Sequence, residues 1–175
     1  IQEILAYTAR KTDTQNNTWA YNGALDWNGG GLHFDSLDHD LGYGLVDALA
    51  AVRLAETWNP NAKTSANAYE LTYSSSPRTR IPDYTRAGGS GQIFDSINVT
   101  GNMRIERVEI TLDITHTWIG DLSVLLLSPT SKSSSFLISR PGSGALSAYG
   151  SSQDNIHFTL NTVLNWGELS AGNWA

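Results

Sequence analysis

Hydrophobic positions in the first third of the chain recur with the spacing of helix faces. Apolar residues three and four apart predict one helix at the N-terminus and a second helix that begins near residue 45. The two predicted faces hold Ile1, Ile4, Leu5 and Thr8, and then Leu45, Ala48, Leu49, Val52 and Ala55. Asn59 and Pro60 end the second pattern. Because each helix has only one apolar face, each needs a packing partner.

After Pro82 the helical spacing gives way to short runs in which apolar and polar side chains alternate. Residues 108–115 show this alternation, which predicts a strand with one buried face. The nearly continuous apolar run 122–127 predicts a strand that is covered on both faces. Further candidate strands lie at 93–99, 136–138, 156–160 and 163–166. Short strands separated by Gly, Ser, Asn and Pro clusters favour a mainly β fold, an antiparallel β-sandwich or jelly roll.

The stretch between these two patterns differs from both. Residues 59–80 are dense in Asn, Ser, Thr and Pro, which is typical of a linker. Within it Tyr69, Leu71 and Tyr73 alternate in the manner of an edge strand. The sequence therefore predicts a helical segment at 1–58, a linker at 59–80 and a β domain at 81–175.

The composition excludes several classes of function. The 175 residues carry 11 basic and 17 acidic side chains, a formal net charge of −6, and the basic residues form no stripe. This disfavours binding to a nucleic-acid backbone, which requires clustered Lys and Arg. The chain has no cysteine, which excludes disulfides and thiolate metal sites. No apolar run approaches the ~20 residues of a membrane span.

The stretch THTWIGDLSVLLLSP, residues 115–129, holds the three residue types of a hydrolytic triad close together: His116, Asp121 and Ser123. A working triad places the imidazole between hydroxyl and carboxylate and adds an oxyanion hole. Ser123 is predicted inside a strand whose N–H groups are used by the ladder, and no G-x-S-x-G turn surrounds it. His116 continues the apolar phase of the preceding strand. The pattern therefore favours a structural role, with Asp121 accepting backbone N–H bonds after Gly120.

Two groups of acidic residues are candidate sites for a hard cation such as Ca²⁺. They are Asp38 and Asp40 in a Gly-bounded loop, and Asp113 and Asp121 on either side of the turn at His116. The loop lacks the EF-hand pattern, and a solvated loop whose Asp caps the next helix is the alternative. In the second group the alternative is a carboxylate that only ties down its turn.

Three tryptophans of the β half are candidate platforms for a sugar ring, because exposed aromatic side chains on β-sandwiches often bind carbohydrates. They are Trp118, Trp166 and Trp174. Trp is highly buried on average, so packing in the core or at an interface is the more common use. The sequence favours packing for these residues.

Two separate parts of the chain resemble one family of enzymes. ILAYTARKTD, WAYNGALDWNGGGLHF and GYGLVDALAAVRLAETW resemble the last part of a subtilisin-like catalytic domain of the kexin/furin branch. HTWIGDLSVLLLSPTS resembles the strand pair that marks the P domain, also called the Homo B domain, which follows that catalytic domain. The late motifs WGE and GNW stand in the expected order. The matching positions are Gly42, Tyr43, Gly44, Leu45, Val46, Asp47 and Ala48, and then His116, Gly120, Asp121, Leu122, Leu125, Ser128, Pro129, Trp166, Gly167, Glu168, Gly172, Asn173 and Trp174.

The resemblance implies a jelly-roll β-sandwich of the galactose-binding-like kind, preceded by the helical end of an α/β subtilase domain. In this family the P domain packs on the catalytic domain, stabilises it and influences its calcium and pH dependence. The parent would be a secreted, bacterial serine endopeptidase that cleaves after basic residues. The family's Gly-Thr-Ser nucleophile and its Asp and His motifs do not occur in this sequence. No catalytic residue can therefore be assigned, and the chain alone is not expected to be a peptidase.

A carbohydrate-binding sandwich and an adhesion module are the alternatives to this interpretation. Neither has a reason to carry a subtilase-like closing helix, so residues 1–58 argue against both. The P-domain pattern continues past GNW into a final strand, and IQEILAYTARK begins as if within a helix. We therefore expect a fragment whose helix faces and sheet edge lack partners, and which is unstable or aggregates when expressed alone.

Overall fold

The described residues form two short helices and a series of antiparallel strand pairs. The computed structural model describes residues 1–12, 18–24, 31–36, 41–58, 64, 66–83 and 91–175. The elements are α1 (Gln2–Thr8), β1 (Trp19–Tyr21), β2 (His33–Asp35), α2 (Ala48–Thr57), β3 (Ile97–Val99), β4 (Val108–Thr115), a 3₁₀ turn (Ile119–Asp121), β5 (Ser123–Leu127), β6 (Ser134–Ser139), β7 (Asn155–Thr162) and β8 (Gly172–Trp174). The predicted mainly β class, preceded by a short helical part, is confirmed.

The two helices of the N-terminal segment, residues 1–58, pack against each other. Asp47 caps α2, its carboxylate accepting a bond from the Ala50 N–H at 2.9 Å. The buried residue of α2 is Ala51, whereas Leu49 and Val52 are 65% and 61% exposed. The apolar face predicted at Leu45, Leu49 and Val52 is therefore exposed in this chain, as expected for a helix face that lacks a packing partner. The helix turns Ala51 inward, with Ala50 and Leu54 partly buried, and leaves Leu49 and Val52 in solvent.

The longest strand pair of the β domain is β4 with β7. It runs antiparallel from Val108 opposite Thr162 to Thr115 opposite Asn155. Alternate residues of β4 are half-buried and exposed in turn, as the sequence pattern predicts. On the outer face, the hydroxyls of Thr111 and Thr159 are joined by a cross-strand hydrogen bond of 2.8 Å.

The second strand pair, β5 with β6, lies beside β7. The hydroxyls of Ser135 in β6 and Thr162 in β7 are 2.6 Å apart and buried. A register shift between Val124 and Leu125 interrupts the pairing of β5 with β6. Leu125 is 40% exposed, so the prediction of a strand covered on both faces is wrong. Although the run is apolar except at Ser123, its side chains still point in turn to the two faces of the strand pair.

Other expected strands are shorter than predicted or absent. The 93–99 run forms a strand only at Ile97–Val99, which pairs with the GNW motif as β8. Residues 163–166 form a turn instead of a strand, because the Trp166 N–H returns to the Val163 carbonyl at 3.0 Å. Residues 68–83 contain no strand, and the division at 58 and 80 stays a prediction.

The described residues have two apolar clusters. In the β domain, Ile119, Leu122 and Ile156 are buried, and Ile81 packs against them. In the N-terminal segment, the small cluster Ala6, Ala24 and Leu32 is joined by three partly buried rings, Tyr7, Tyr43 and Trp166. Trp166 belongs to the β domain, so one tryptophan links the two parts of the chain.

Candidate functional site

The N-terminal segment meets the β domain at the turn that carries the WGE motif, residues 166–168. Asn22 and Gly23 follow β1, and the turn follows β7. We call this contact the junction; it comprises Asn22, Gly23 and Tyr43 on one side, and Thr130, Ser133 and residues 163–168 on the other.

Asn22 has all of its side-chain hydrogen-bonding capacity filled at the junction. Its Nδ2 donates to the carbonyls of Leu164 and Trp166, both at 2.9 Å. Its Oδ1 accepts from the N–H groups of Ala24 at 3.1 Å and Leu32 at 2.9 Å. The side chain is 2% exposed. An amide has two donor hydrogens and an oxygen with two lone pairs, so one residue fastens its own loop and ties it to the β domain.

Glu168 is a fully buried carboxylate at the junction, with 0% exposure. Its Oε1 accepts from the Gly23 N–H at 2.7 Å and from the Ser133 hydroxyl at 2.8 Å. The Ser133 hydroxyl in turn accepts a short bond from the Asn165 side-chain amide. A buried carboxylate is stabilised by such donors. The acidic residue of the WGE motif thus receives a backbone N–H from the N-terminal segment.

Gly23 approaches the β domain too closely to carry a side chain without adjustment. A Cβ built on Gly23 would lie 2.8 Å from the Thr130 Oγ1 and 3.3 Å from the Glu168 Cδ. Its N–H reaches Glu168 because nothing stands between the backbone and the carboxylate. A side chain at this position would therefore displace Thr130 or Glu168.

Two aromatic rings complete the junction. The Tyr43 and Trp166 rings meet edge to face with centroids 6.4 Å apart. The Tyr43 hydroxyl donates to the Val163 carbonyl at 2.7 Å. Burial raises the pKa of the Tyr43 hydroxyl above its ordinary value, so the group stays protonated and can donate at neutral pH. Beside this contact lies an open cavity of about 360 Å³, lined by Asp35 and Tyr43 on one wall and by Phe136 and Val163 on the other.

The residues of the triad-like stretch do not converge. The His116 Nδ1 lies 3.1 Å from the Trp118 carbonyl oxygen, and its Nε2 lies 3.7 Å from an Asp83 carboxylate oxygen. The His116 side chain is only 9% exposed. Ser123 lies in β5 opposite Ser139, and Asp121 lies exposed in the 3₁₀ turn. The stretch thus builds a strand and a turn of the β domain.

Two other motif residues have structural contacts of their own. A Cβ on Gly120 would lie 2.5 Å from backbone atoms of Tyr149 and Ser151, so this position admits only a glycine. Trp174 is 8% exposed, and its indole N–H donates to the Ser170 carbonyl at 2.9 Å. Both residues hold loops of the β domain together.

In the described part of the chain the candidate cation ligands do not lie close to one another. Asp113 points outward from β4, and its side chain is 84% exposed. Its Oδ1 lies 3.9 Å from the Nδ1 of His157. Asp121 is exposed on the 3₁₀ turn. Among the described residues there is no group of three or more His, Asp or Glu side chains suited to a metal ion. Asp38 and Asp40 lie outside the described residues. Calcium binding stays a prediction.

The sequence indicated one side of the junction and missed the other. Trp166, Gly167 and Glu168 were assigned as motif residues, whereas Asn22 and Gly23 were not. The signal that was present is the Asn-Gly pair directly after an apolar run, which commonly marks a tight turn. It gives no sign that the turn receives contacts from residues about 140 positions further along.

Fold and junction together define a mainly β module that holds a helical segment through buried hydrogen bonds. Residues 105–175 match the family model described as the proprotein convertase P-domain. Residues 105–175 thus carry the sequence pattern of a proprotein convertase P domain, as the resemblance predicted.

The similar proteins named here each match over 99% of the chain, and their names describe proteases. A PC3-like endoprotease, variant B, of Hydra vulgaris is 29% identical over 182 residues, and furin of Mus musculus is 24% identical over 174 residues. The chain spans 22% and 20% of their lengths. The serine protease of Aeromonas sobria shares the fold with a TM-score of 0.66 at 18% identity, and the match covers 99% of this chain and 31% of that one.

Two further expectations concern location. No helix within the described ranges is long and apolar enough to cross a membrane. The similar proteins named above come both from animals and from Aeromonas sobria, so a bacterial source for this chain stays a prediction.

Proposed function

We propose that the P domain of this chain is an accessory domain that stabilises the catalytic domain of a secreted, kexin-like serine endopeptidase. The observation that carries the proposal is the junction, where the Glu168 carboxylate and the carbonyls of the WGE turn receive hydrogen bonds from Gly23 and Asn22. Residues 1–58 resemble the end of a subtilisin-like catalytic domain. A domain fastened to that end contributes to the stability of the whole.

The energetic argument rests on the burial of the polar groups. A typical hydrogen bond adds about 1 kcal/mol to stability, but a buried partner left unsatisfied costs about 1–3 kcal/mol. Undocking would expose the Asn22 amide and the Glu168 carboxylate to water, so partial opening is tolerable. Replacing either residue while the parts stay docked is costly, because its hydrogen-bond partners would remain buried and unpaired. The docked state therefore depends on both residues, and the loss of either one destabilises it.

The activity of the parent belongs to the same proposal. It would hydrolyse peptide bonds after basic residues, with its catalytic Ser, His and Asp on a part of the enzyme other than residues 1–175. The printed names of the similar proteins, an endoprotease and furin, support a proteolytic parent. Ca²⁺ remains the cofactor to examine, in the catalytic domain and at Asp113 and Asp121.

The experiment compares two variants of the full-length protein. Glu168→Ala removes the acceptor of the Gly23 N–H, and Glu109→Ala removes an exposed carboxylate on the outer face of β4. We expect Glu168→Ala to shorten the half-life of peptidase activity at elevated temperature while kcat/KM at low temperature stays unchanged. The Glu109 variant should match the unmodified protein. Equal half-lives for Glu168→Ala and the unmodified protein would remove the basis of the proposal.

Carbohydrate binding is the second candidate function, and one tryptophan favours it. Trp118 is 39% exposed, and its indole N–H donates to the carbonyl of Tyr149, whose ring is 76% exposed. Trp166 packs in the N-terminal cluster and offers no such surface. Glycan-array binding that is lost in Trp118→Ala but retained in Tyr69→Ala would support this function. Absence of any glycan signal would exclude it.

A further inference from the structure

The chain between the two parts contains an exposed segment that is anchored at both of its ends. We call residues 74–80, SSSPRTR, the strap. Before it, the Tyr73 hydroxyl accepts from the Gly101 N–H at 2.9 Å and lies 3.3 Å from the Thr100 hydroxyl. After it, Ile81 packs against the apolar cluster of the β domain. The strap is thus held by fixed residues but is not itself packed.

The strap has the properties of a protease substrate. Each of its residues is exposed, and none belongs to a helix, strand or turn. Its one described hydrogen bond is local, from the Thr79 hydroxyl to the Pro77 carbonyl at 3.3 Å. Endopeptidases bind their substrates as extended chains with free backbone groups, and exposed loop segments are the preferred sites of proteolytic nicking.

Basic side chains elsewhere in the described chain lie in or next to backbone that is fixed by regular structure or by contacts. Arg107 is exposed but directly precedes β4 and pairs with Glu109, and Lys132 is exposed in the short connection between β5 and β6. Lys11 donates to the Tyr21 hydroxyl at 2.7 Å. Arg53 lies in α2, and Arg10 and Arg104 each take part in a β-bridge. The Arg140 guanidinium donates to the carbonyls of Gly120 and Ala148. Arg78 and Arg80 have neither a regular backbone nor, among the described residues, a side-chain partner. An arginine-specific enzyme would therefore meet the strap first.

We propose that the strap is a processing site for a serine endopeptidase whose specificity pocket accepts arginine, with Arg78–Thr79 as the scissile bond. The residues on both sides of this bond, from Ser76 to Arg80, lie inside the exposed strap. Cleavage after Arg80 would instead require Ile81 to leave the apolar cluster. Arg78 has a φ of 49°, which L residues rarely adopt, so rotation to an extended substrate conformation relieves strain.

The step is an ordinary peptide hydrolysis. The enzyme's serine oxygen attacks the carbonyl carbon of Arg78, the C–N bond to Thr79 breaks, and the Thr79 nitrogen leaves as an amine after taking a proton. Water then hydrolyses the ester on Arg78 and frees the serine. One water molecule is consumed, and a new carboxylate at Arg78 and a new amine at Thr79 are formed.

Cleavage at this bond would not by itself separate the two parts. The junction contacts of Asn22, Gly23 and Tyr43 lie before the cut, and those of residues 163–168 lie after it. The nicked protein would therefore be two chains that remain associated through the junction. A covalent link would be replaced by a reversible one.

The experiment uses the full-length protein and a trace of trypsin as the probe. We expect the earliest new N-terminus within the described part of this chain to be Thr79. Arg78→Gln should lose this cut, whereas Arg53→Gln, the matched change inside α2, should retain it. A first new N-terminus at Ile81, or first cleavage at another described basic residue, would overturn the assignment.

A second measurement tests the association. Nicked protein should elute from a size-exclusion column as one species in native buffer and as two species in denaturant. Glu168→Ala, nicked in the same way, should release the two parts more readily. Separation of the unmodified nicked protein in native buffer would overturn the inference that the junction holds the cleaved parts.

Discussion

At the scale of single residues, the junction depends on a few polar atoms whose hydrogen bonds no neighbouring group can replace. Asn22 is the clearest case because both donor hydrogens and both oxygen lone pairs are used. Asn22→Asp keeps the shape but places a carboxylate oxygen against the carbonyls of Leu164 and Trp166. We expect a loss of about 3 kcal/mol or more in the free energy of unfolding, measured by denaturant titration. Asn102→Asp, on a loop, should change little.

Gly23 gives a second prediction at this scale. The added methyl of Gly23→Ala would press on the Thr130 side chain, at a cost of about 1–3 kcal/mol. Thr130→Ala removes the atoms that the methyl would meet, so the double variant should recover part of the loss. A double-mutant cycle on the unfolding free energies measures this coupling. Strictly additive effects would mean that the two residues do not touch.

His33 is a candidate source of pH dependence in the stability of the folded protein. Burial, and next the positive charge of Lys11, lower the pKa of His33, while a hydrogen bond to the Tyr43 backbone opposes the shift. The rings of Trp19 and Tyr21 also lie against it. The folded state disfavours the protonated ring. The contribution of the neutral His33 ring to the stability of the fold is therefore intact above 6.5, the ordinary pKa of histidine, and is lost as the pH falls below that value.

The corresponding experiment compares melting temperatures at pH about 7.5 and about 5.5 for the unmodified protein and for His33→Gln. We expect the unmodified protein to lose more stability on acidification than the variant does. His157→Gln is the control, because that ring is 77% exposed. Identical pH profiles for the unmodified protein and His33→Gln would exclude His33 as the source.

At the scale of elements, sequence patterns predicted the strands with one buried face best. The β4 alternation is strict, so its bounds and phase followed from the sequence. The 163–166 run was misassigned because apolar side chains also occur in turns that pack against another part of the chain. Its burial comes from Asn22 and Tyr43, which lie more than a hundred residues away and which no local pattern reveals.

The exposed face of α2 leads to a prediction at the same scale. Leu49 and Val52 lie in solvent in the described chain, and exposed apolar patches promote association. Leu49→Glu should therefore reduce light scattering by the separately expressed 175-residue chain without lowering its helix content. Ala51→Glu, at the buried position of the same helix, should instead destabilise it. Equal scattering by the Leu49 variant and the unmodified chain would show that this face does not drive association.

At the scale of the whole molecule, the sequence predicted the order of the parts better than the way they are joined. Motif order gave a helical segment followed by a β domain, and the P-domain match at 105–175 agrees with this. The expectation that the chain is unstable when expressed alone stays a prediction. Sedimentation and calorimetry decide it, since a soluble monomer with one cooperative thermal transition would contradict it.

The Asn22–Gly23 pair also bears on how the protein ages. In an Asn-Gly sequence the glycine nitrogen can attack the asparagine amide, expel ammonia and leave a succinimide that water opens to aspartate or isoaspartate. In the docked chain that nitrogen donates its hydrogen to Glu168, and the amide is held by the two carbonyls. We therefore expect docking to slow deamidation, and each opening to expose Asn22 to this irreversible change. Because the product would place a carboxylate against the carbonyls of Leu164 and Trp166, we expect a molecule that has once deamidated to dock less well for the rest of its lifetime.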